Sequence, residues 1–256
     1  MTTSGVCLDT EIEGAVNFRD LGGLPVEGGR LRHGRLYRSG MTHHISPAGL
    51  RLLAERFGLR TVFDLRSSDE LAAGLAAWSE AGVDHVHIPV PTGGEATAAA
   101  VRRQAETVRR GTVDWAAVYA RMLSAGAPAF RQVFAAVTRP DALPAVVHCA
   151  GGRDRTGLVA ALLLAALGVA DDVIAGDYAR TGALLRPHVD RFVAQQERMA
   201  FTRDDMLRLL ETTEEPMLRV LLGLREQYGS PAGYLESIGV EAATVTVLRA
   251  GLVEVA

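Results

Sequence analysis

The stretch from Pro144 to Val169 constrains the fold more than any other part of the sequence. It joins a short apolar strand, residues 144–147, to a glycine-containing loop and then to a helix, residues 157–169, that is apolar on every side. A helix with no polar face is buried within a protein. A buried strand that leads through a short loop into such a helix is typical of an α/β fold, so we place this segment at its centre.

The preceding sequence repeats the alternation of strand and helix. Gly-Gly pairs between residues 15 and 40 predict small strands and a hairpin. Further elements are expected as follows: a helix from Ser46 to about Phe57, a strand over 61–66, a helix from the Ser67–Glu70 capping box to about Ala81, a strand over 85–90, and helices at about 114–124 and 128–138. The pattern predicts a central, mostly parallel sheet flanked by helices.

We predict a single domain over residues 1–256, with a flexible leader at about 1–13 and a helical lid or cap at about 171–230. Asp171-Asp172 caps the first helix of that tail, and the chain is expected to stay mostly helical to its end. Residues 92–112 are small, polar and basic, which favours a mobile segment or a helix near the site.

Composition excludes several classes of function. The net charge is −3 and no basic tail or stripe is present, which argues against a general nucleic-acid binder. The longest uncharged run, Thr156–Ala170, is shorter than the ~18 residues of a membrane span. Two cysteines, Cys7 and Cys149, make no disulfide framework, and no basic-then-apolar leader opens the chain. We expect a cytoplasmic location, with leaderless export left open, and membrane contact only through a lipid substrate.

The loop sequence is HCAGGRDRTG, residues 148–157, in which five residues separate Cys149 from Arg155. Its backbone N–H groups can turn inward, and the following helix N-terminus adds partial positive charge. Such a loop binds a phosphate dianion and favours a cysteine thiolate. A bare C-x5-R occurs by chance, and a lone cysteine on a strand is usually structural. The two glycines, the Arg-Thr-Gly ending and the strand-to-helix context are much more specific.

Each residue type in this loop suits a step of phosphoryl transfer. Gly151 and Gly152 permit backbone angles and close approaches that a Cβ obstructs. Arg155 can hold two phosphoryl oxygens through its planar guanidinium. Thr156 can hydrogen-bond the sulfur and help it leave, and His148 is expected to orient the loop rather than act as a base.

HCAGGRDRTG resembles the signature of the cysteine-dependent protein tyrosine phosphatase superfamily, and within it the bacterial tyrosine/phosphoinositide phosphatases whose loop reads HCxxGKDRTG. Four further stretches match, so the resemblance covers roughly residues 14–190: NFRDLGG (17–23), LYRSG (36–40), VFDLRS (62–67) and DVIAGDYART (172–181). It implies a protein tyrosine phosphatase-like fold, Cys149 as nucleophile, and a two-step hydrolysis without metal or other cofactor. It also implies that the phosphate is held by Ala150, Gly151, Gly152, Arg153, Asp154, Arg155 and Thr156. Arg153 stands where those relatives have lysine, which weakens the expectation of an inositide substrate.

Two aspartates compete for the role of general acid. Asp154 lies inside the loop, next to Arg155, and relatives with an aspartate there are thought to use it as the acid. Asp64 ends the VFDLR strand, at the sheet edge where ligands bind in α/β folds. We favour Asp154 as the acid and expect Asp64 to orient Arg66 or nearby backbone.

Other polar residues are interpreted structurally. We expect an ion pair between Arg19 and Asp20, a site-lining or buried support role for Arg38, and helix packing for Asp177 and Tyr178. The histidines of His43-His44 and His85-x-His87 have no metal-ligand spacing around them and are taken as surface or strand residues. The basic cluster is taken as a solvated helix face; it consists of Arg102, Arg103, Arg109 and Arg110.

The first hypothesis for function is therefore a cysteine-dependent phosphomonoester hydrolase, of the protein tyrosine or dual-specificity type. Phosphoinositides and small nucleotide or sugar phosphates are alternative substrates. A pseudophosphatase that binds phospho-ligands without turnover is a second hypothesis, which the presence of both Cys149 and Arg155 disfavours. Sulfur transfer of the rhodanese type is a third, disfavoured by the Arg-Thr-Gly ending.

Overall fold

The computed structural model describes residues 12–72, 74–93, 98–195 and 201–255. The expected flexible leader lies almost wholly outside these residues, and so does Cys7. Within them the strands are β1 (Arg19–Asp20), β2 (Pro25–Val26), β3 (Gly29–Leu31), β4 (Leu36–Ser39), β5 (Thr61–Asp64), β6 (Asp84–His87), β7 (Ala145–His148) and β8 (Val253–Val255). The helices are α1 (Pro47–Glu55), α2 (Ser68–Ala72), α3 (Ala98–Arg110), α4 (Trp115–Ala125), α5 (Ala127–Val137), α6 (Asp154–Ala166), α7 (Asp171–Leu185), α8 (Val189–Gln195), α9 (Arg203–Leu210), α10 (Glu215–Tyr228), α11 (Pro231–Ser237) and α12 (Ala242–Leu252).

The main sheet has the order β1-β4-β7-β5-β6. Its four longer strands are parallel, and only β1 runs antiparallel, against β4. The central strand β7 is buried along its length and leads into the cysteine loop, as the sequence predicted. Because β4, β5 and β7 end in register at Ser39, Asp64 and His148, the chain leaves all three strands at one edge of the sheet.

Successive side chains of the strands point to opposite faces of the sheet, and each face has its own core. Val62 and Val146 pack with residues of α1 and with Trp78 on one face. Phe63 and Val147 pack on the other face, where α6 is enclosed by α4, α5, α7 and α11. The predicted burial of this helix is confirmed, since every residue of α6 from Arg155 to Leu164 is buried.

One expected helix is shorter in the structure. The helix that begins after Ser67 ends at Ala72, not near Ala81. Gly74 has a φ of +150°, outside helical geometry, and its carbonyl accepts a hydrogen bond from Arg66 at 2.9 Å. The tail is mostly helical, as predicted, from α7 to α12, and it ends with the short strand β8, which forms a small antiparallel sheet with β2 and β3. The strands predicted at 61–66 and 85–90 are present as the shorter β5 and β6.

The region predicted as a lid or cap, residues 171–230, is formed largely by helices α7 to α10. Residues 92–112 include α3, whose Arg109 forms an ion pair with Asp205 of α9 at 2.8 Å. The domain limits and any lid movement stay predictions. Among the described residues, no helix has the length and apolar character needed to cross a membrane.

Candidate active site

Donors outside the cysteine loop hold the loop's carbonyl groups. The Asn17 side-chain amide donates to the carbonyls of Gly151 and Gly152, at 3.1 Å each. The backbone N–H of Met41, just beyond β4, donates to the Ala150 carbonyl at 2.7 Å. With three successive carbonyls bound on the outside, the loop leaves its N–H groups available on its inner side, the geometry of an anion-binding nest.

The nucleophile candidate lies at the centre of this loop. Cys149 is 2% exposed, and the backbone N–H of Gly152 donates to its sulfur at 3.3 Å. Gly152 has a φ of +69°, and a Cβ there would lie 2.4 Å from the Ser39 carbonyl oxygen. Glycine is therefore required at 152 both for its backbone angle and for the close approach of β4. The N-terminus of α6, beginning at Asp154, supplies further positive potential for a thiolate or phosphate.

Arg155 is positioned by a carboxylate whose role the sequence analysis missed. Its Nη1 and Nη2 atoms donate to Glu70 at 2.5 and 2.6 Å. Burial opposes the charge of Arg155, but the charges of Cys149 and Glu70 outweigh it and raise the arginine pKa. Glu70 also forms the predicted capping box, in which it accepts from the Ser67 N–H at 2.8 Å. The sequence signal that could have identified Glu70 was its place in a capping box directly after β5, a strand that ends at the site.

Asp154 lies in a network of aromatic and charged side chains. Its Oδ1 accepts from the Tyr119 hydroxyl at 2.6 Å and from Arg153 Nε at 2.9 Å. The Arg153 guanidinium stacks over Trp115, 4.1 Å from the ring centroid, and Tyr119 also hydrogen-bonds the Tyr178 hydroxyl at 2.6 Å. Burial and the nearby Asp154 charge raise the pKa of Tyr119, so it stays a donor. The Asp154 side chain is 35% exposed and accessible to a substrate.

Asp64, the rival acid, is fully buried and engaged by Arg66. Its two oxygens accept from Arg66 Nε and Nη2, at 3.0 and 2.7 Å, and Oδ1 also accepts from the Arg66 backbone N–H at 3.0 Å. Burial alone would raise the pKa of Asp64, but hydrogen bonds from His85 and Arg66 hold it well below its usual range. This arrangement matches the expected orienting role toward Arg66.

The two residues that flank the loop differ in their contacts. His148 Nδ1 lies 3.2 Å from the Cys149 carbonyl oxygen, a contact that fits the predicted loop-orienting role. Burial lowers the pKa of His148 to about 4. Thr156 Oγ1 is buried and has no hydrogen-bond partner within the described part of the chain, and the sulfur accepts from Gly152 instead. The predicted contact between Thr156 and a departing sulfur stays a prediction.

A buried charge cluster joins the loop to α7. Asp177 pairs with Arg38 at 2.5 Å and with Arg19 at 2.7 Å, and Arg38 also donates to the Gly152 carbonyl at 2.8 Å. Burial would raise the pKa of Asp177, but the two arginines outweigh it and lower that pKa to about 2. Arg38 therefore has the support role, and Asp177 is a charged anchor rather than a packing residue.

The expected Arg19–Asp20 ion pair is wrong. Arg19 turns to Asp177, whereas Asp20 accepts from the backbone N–H groups of Gly22 and Gly34 at 2.8 and 2.9 Å. Because neighbouring residues on a strand point to opposite faces of the sheet, the side chains of Arg19 and Asp20 cannot easily reach each other.

The remaining basic residues divide between surface and interior. Arg102, Arg103, Arg109 and Arg110 lie on the exposed side of α3, as expected for a solvated helix face. His43 and His44 contact one another, with ring centroids 4.1 Å apart. His85 and His87 lie on β6, and His85 Nε2 is 3.2 Å from Asp64.

A mostly parallel sheet whose central strand leads directly into a cysteine, with an anion-binding loop and a buried arginine after it, defines a cysteine-based phosphatase. The comparisons place the chain within that class. Residues 10–254 match the model of the tyrosine phosphatase family, and the chain belongs to that family. It is accordingly a phosphoric monoester hydrolase.

Relatives of this chain carry related names. The triple specificity protein phosphatase PtpB of Mycobacterium tuberculosis is 29% identical over 272 residues, which cover 93% of this chain and 97% of that protein. A protein of Cupriavidus necator, provisionally named a tyrosine-protein phosphatase, is 39% identical over 166 residues, covering 63% of this chain and 59% of that one. The catalytic core of the yeast (S. cerevisiae) PP-IP phosphatase SIW14 is a distant structural neighbour, with TM-score 0.39, 14% identity, and coverage of 69% and 97%.

Proposed function

We propose that this phosphatase acts on phosphotyrosine, with dual specificity, through a phosphocysteine intermediate at Cys149. The observation that carries the proposal is the cysteine loop itself. Its carbonyls at 150–152 are bound by donors from other segments, the Gly152 N–H donates to the Cys149 sulfur, and Arg155 follows in the first turn of α6. This is a preorganised site for a tetrahedral dianion next to a nucleophile.

The proposed reaction has two steps. The Cys149 thiolate attacks phosphorus in line, forming an S–P bond while the P–O bond to the leaving group breaks. Asp154 gives its proton to the leaving oxygen. Water then attacks the phosphocysteine with Asp154 taking its proton, the S–P bond breaks, and phosphate and thiolate are released. Arg155 binds two phosphoryl oxygens throughout, and Thr156 donates to the departing sulfur.

Asp154 is the better candidate for the acid because of its accessibility. Its side chain is 35% exposed, whereas Asp64 is fully buried with both oxygens engaged by Arg66. A general acid must come within hydrogen-bond reach of the leaving oxygen. Tyr119 and Arg153 contact only Oδ1 of Asp154 among the described interactions, so the carboxyl group is oriented rather than enclosed.

Two observations bear on the substrate. The Cys149 sulfur is buried at the base of the loop, so the phosphate must be carried by a group that reaches inward, as a phosphotyrosine side chain does. Arg153 is 5% exposed, stacked on Trp115 and paired with Asp154, so it presents no free charge to a second phosphate. The relative named a triple specificity phosphatase supports breadth beyond tyrosine. Phosphoinositides and small-metabolite phosphates are the alternatives.

Hydrolysis of p-nitrophenyl phosphate by the purified chain tests catalysis. We expect activity in the wild type and none in Cys149→Ser. Binding of a phosphopeptide without hydrolysis by the wild type would instead indicate the pseudophosphatase.

The acid assignment is tested with an alkyl phosphate, whose poor leaving group needs protonation. We expect Asp154→Asn to lose ~10²–10⁴ in rate on that substrate and much less on p-nitrophenyl phosphate. Full activity of Asp154→Asn on the alkyl ester would overturn the assignment. Asp64→Asn is the control, because it removes a buried carboxylate that binds Arg66 rather than the proposed acid. Its rates are compared with those of Asp154→Asn under conditions in which both variants are fully folded.

A substrate panel resolves specificity. Phosphotyrosine peptides, phosphoserine and phosphothreonine peptides, phosphoinositides in vesicles, and nucleotide or sugar phosphates are compared by kcat/KM. We expect phosphotyrosine peptides to rank first.

We also propose a cytoplasmic location, which the low cysteine content supports. Cell fractionation tests this proposal.

A further inference from the structure

Three polar side chains beneath the cysteine loop form a cluster with no part in the proposed reaction. Asp64 ends β5, His148 ends β7, and His85 lies on the neighbouring strand β6. One ligand atom from each lies within 4.8 Å of the other two. The Nε2 atoms of His85 and His148 are 3.2 and 3.5 Å from Asp64 Oδ2. Ligands at ~2.0–2.1 Å from a tetrahedral zinc lie about 3.3 Å from one another, close to these two distances. The His85 contact is also a hydrogen bond to Asp64, which the metal ion would replace.

The hydrogen bond of His148 directs a lone pair into this cluster. Because the Cys149 carbonyl can only accept, Nδ1 of His148 carries the hydrogen in their 3.2 Å contact, and Nε2 carries the lone pair. His148 is fully buried, and its Nε2 has no hydrogen-bond partner among the residues that the structure describes. Metal-binding histidines are held in the same way, with the second ring nitrogen donating to a carbonyl or carboxylate.

Arg66 shares Asp64 with the cluster but does not close it. Its Nη2 donates to Asp64 Oδ2 at 2.7 Å. Arg66 Nε also approaches Oδ2, at 3.1 Å, and is shared with Oδ1, while His85 Nε2 lies 3.2 Å from Oδ2. A carboxylate oxygen offers two lone-pair positions, so Oδ2 can accept from Arg66 and bind a metal ion that replaces the hydrogen of His85 Nε2. The guanidinium reduces the negative charge of the site. Two imidazoles with one partly neutralised carboxylate suit zinc and similar transition metals, and they do not suit calcium or magnesium.

His85 gives the cluster access to solvent. It lies on β6, an edge strand of the main sheet, and its side chain is 17% exposed. A metal ion can therefore enter past His85, and the fourth position of a tetrahedral site can hold water. The other two side chains are fully buried.

We propose that Asp64, His85 and His148 form a binding site for one divalent transition-metal ion, with zinc the best fit. The sequence predicted no metal site because its histidine spacings matched no ligand motif. Here the ligands come from three strands that are distant in sequence and adjacent in the sheet.

The test uses the full chain carrying Cys149→Ser, which removes the thiolate as a competing zinc ligand. Zinc chloride is titrated by calorimetry into this parent and into the same chain carrying either His85→Gln or His87→Gln. His87 is the matched control, because it lies on the same strand and donates to or accepts from no cluster member; its Nε2 contacts the Arg66 carbonyl at 2.8 Å.

We expect the parent and His87→Gln to bind one equivalent of zinc, and His85→Gln to bind it at least ~10-fold more weakly. Cobalt(II) provides a second readout, since ligand-field absorption should appear in the parent and be lost with His85→Gln. Absence of stoichiometric binding in the parent, or equal affinity in the two histidine variants, would overturn the proposal. Circular dichroism checks folding, and His85→Ala replaces His85→Gln if the latter is unfolded. Because all proteins compared lack Cys149, the result does not depend on the proposed reaction.

Discussion

Glu70 shows how one side chain can serve both the backbone and the site. It accepts from the Ser67 N–H at the start of α2 and pairs with Arg155 through both carboxylate oxygens. Burial raises the pKa of Glu70, but the Arg155 hydrogen bonds and charge outweigh it, and the net pKa is lowered. Glu70 is thus held ionised beside the guanidinium that binds the phosphoryl group.

Replacing Glu70 by Gln separates these roles, because glutamine can still cap a helix. We expect Glu70→Gln to lower kcat/KM by ~10–100-fold, because Arg155 loses the charge-assisted hydrogen bonds that orient it, each worth ~1.5–3 kcal/mol, and to lower the melting temperature by a few degrees. Steady-state kinetics and thermal unfolding measure the two effects. Asp69→Asn, an exposed neighbour on α2, is the control and should match the wild type in both.

The two loop glycines, Gly151 and Gly152, differ in whether a side chain can be accommodated at their positions. At Gly152 a side chain is excluded both by the positive φ and by the Ser39 carbonyl oxygen, which would lie 2.4 Å from an added Cβ. At Gly151 the nearest neighbour is Leu185 Cδ1 at 3.8 Å, an ordinary contact. We expect Gly152→Ala to reduce the free energy of unfolding by ~1–3 kcal/mol and Gly151→Ala by much less. Urea titrations of both variants measure this difference, and equal losses would contradict it.

Helix α4 connects the protein core to the candidate acid. Tyr119 is fully buried, yet its hydroxyl group contacts Asp154 on α6 and Tyr178 on α7. Three helices therefore meet through one short chain of hydrogen bonds. Removing the Tyr119 hydroxyl should misorient Asp154 without creating a cavity.

We expect Tyr119→Phe to slow hydrolysis of an alkyl phosphate about tenfold and to affect p-nitrophenyl phosphate far less, because only the poorer leaving group depends on the acid. The ratio of the two kcat values is the measurement. Tyr234→Phe is the control, because this buried hydroxyl donates to the Leu123 carbonyl at 2.9 Å rather than to Asp154. A similar ratio in both variants would show that Tyr119 acts through stability alone.

The elements that the sequence predicted well are those with strong local signals. The apolar strand and all-apolar helix around Cys149 identified β7 and α6, and the Ser46-Pro47 pair identified the start of α1. The end of α2 was predicted wrongly because a capping box reports where a helix begins, not where it ends. The strand β8 was missed because its three residues form a strand only by pairing with β3, more than 200 residues away.

Residues of the site were predictable to the extent that they lie within one motif. Cys149, Gly152 and Arg155 follow one another along the loop, and their arrangement follows from strand, turn and helix. Glu70 and Asp177 come from other segments, and only the folded sheet brings them to this loop. Pairing between distant charges has no local pattern, which is also why Arg19 was given the wrong partner.

At the scale of the whole molecule, Asp177 joins three parts of the chain. Its carboxylate on α7 binds Arg19 of β1 and Arg38 of β4, and all three side chains are at least 94% buried. Arg38 extends the connection to the Gly152 carbonyl of the cysteine loop. The helical region that follows the loop is thereby fixed to the sheet by buried charge as well as by packing.

Asp177→Asn should destabilise the protein strongly, by ~3–5 kcal/mol, because it leaves two buried guanidinium groups without a counter-charge. The Asp177 pKa is about 2 in the folded protein and 3.8 ordinarily, so its carboxylate stabilises the fold above pH 3.8. That contribution is lost as the pH falls from 3.8 through 2. The difference in free energy of unfolding between wild type and Asp177→Asn should therefore be constant from pH 7 to 5 and shrink toward pH 2, as measured by urea titration.

Asp171→Asn is the control for Asp177→Asn, because Asp171 lies on the same helix, α7, and pairs with Arg225 of α10 at the surface. Breaking this exposed pair should cost at most ~1 kcal/mol. Equal costs for the two variants at pH 7 would show that the buried cluster does not anchor α7.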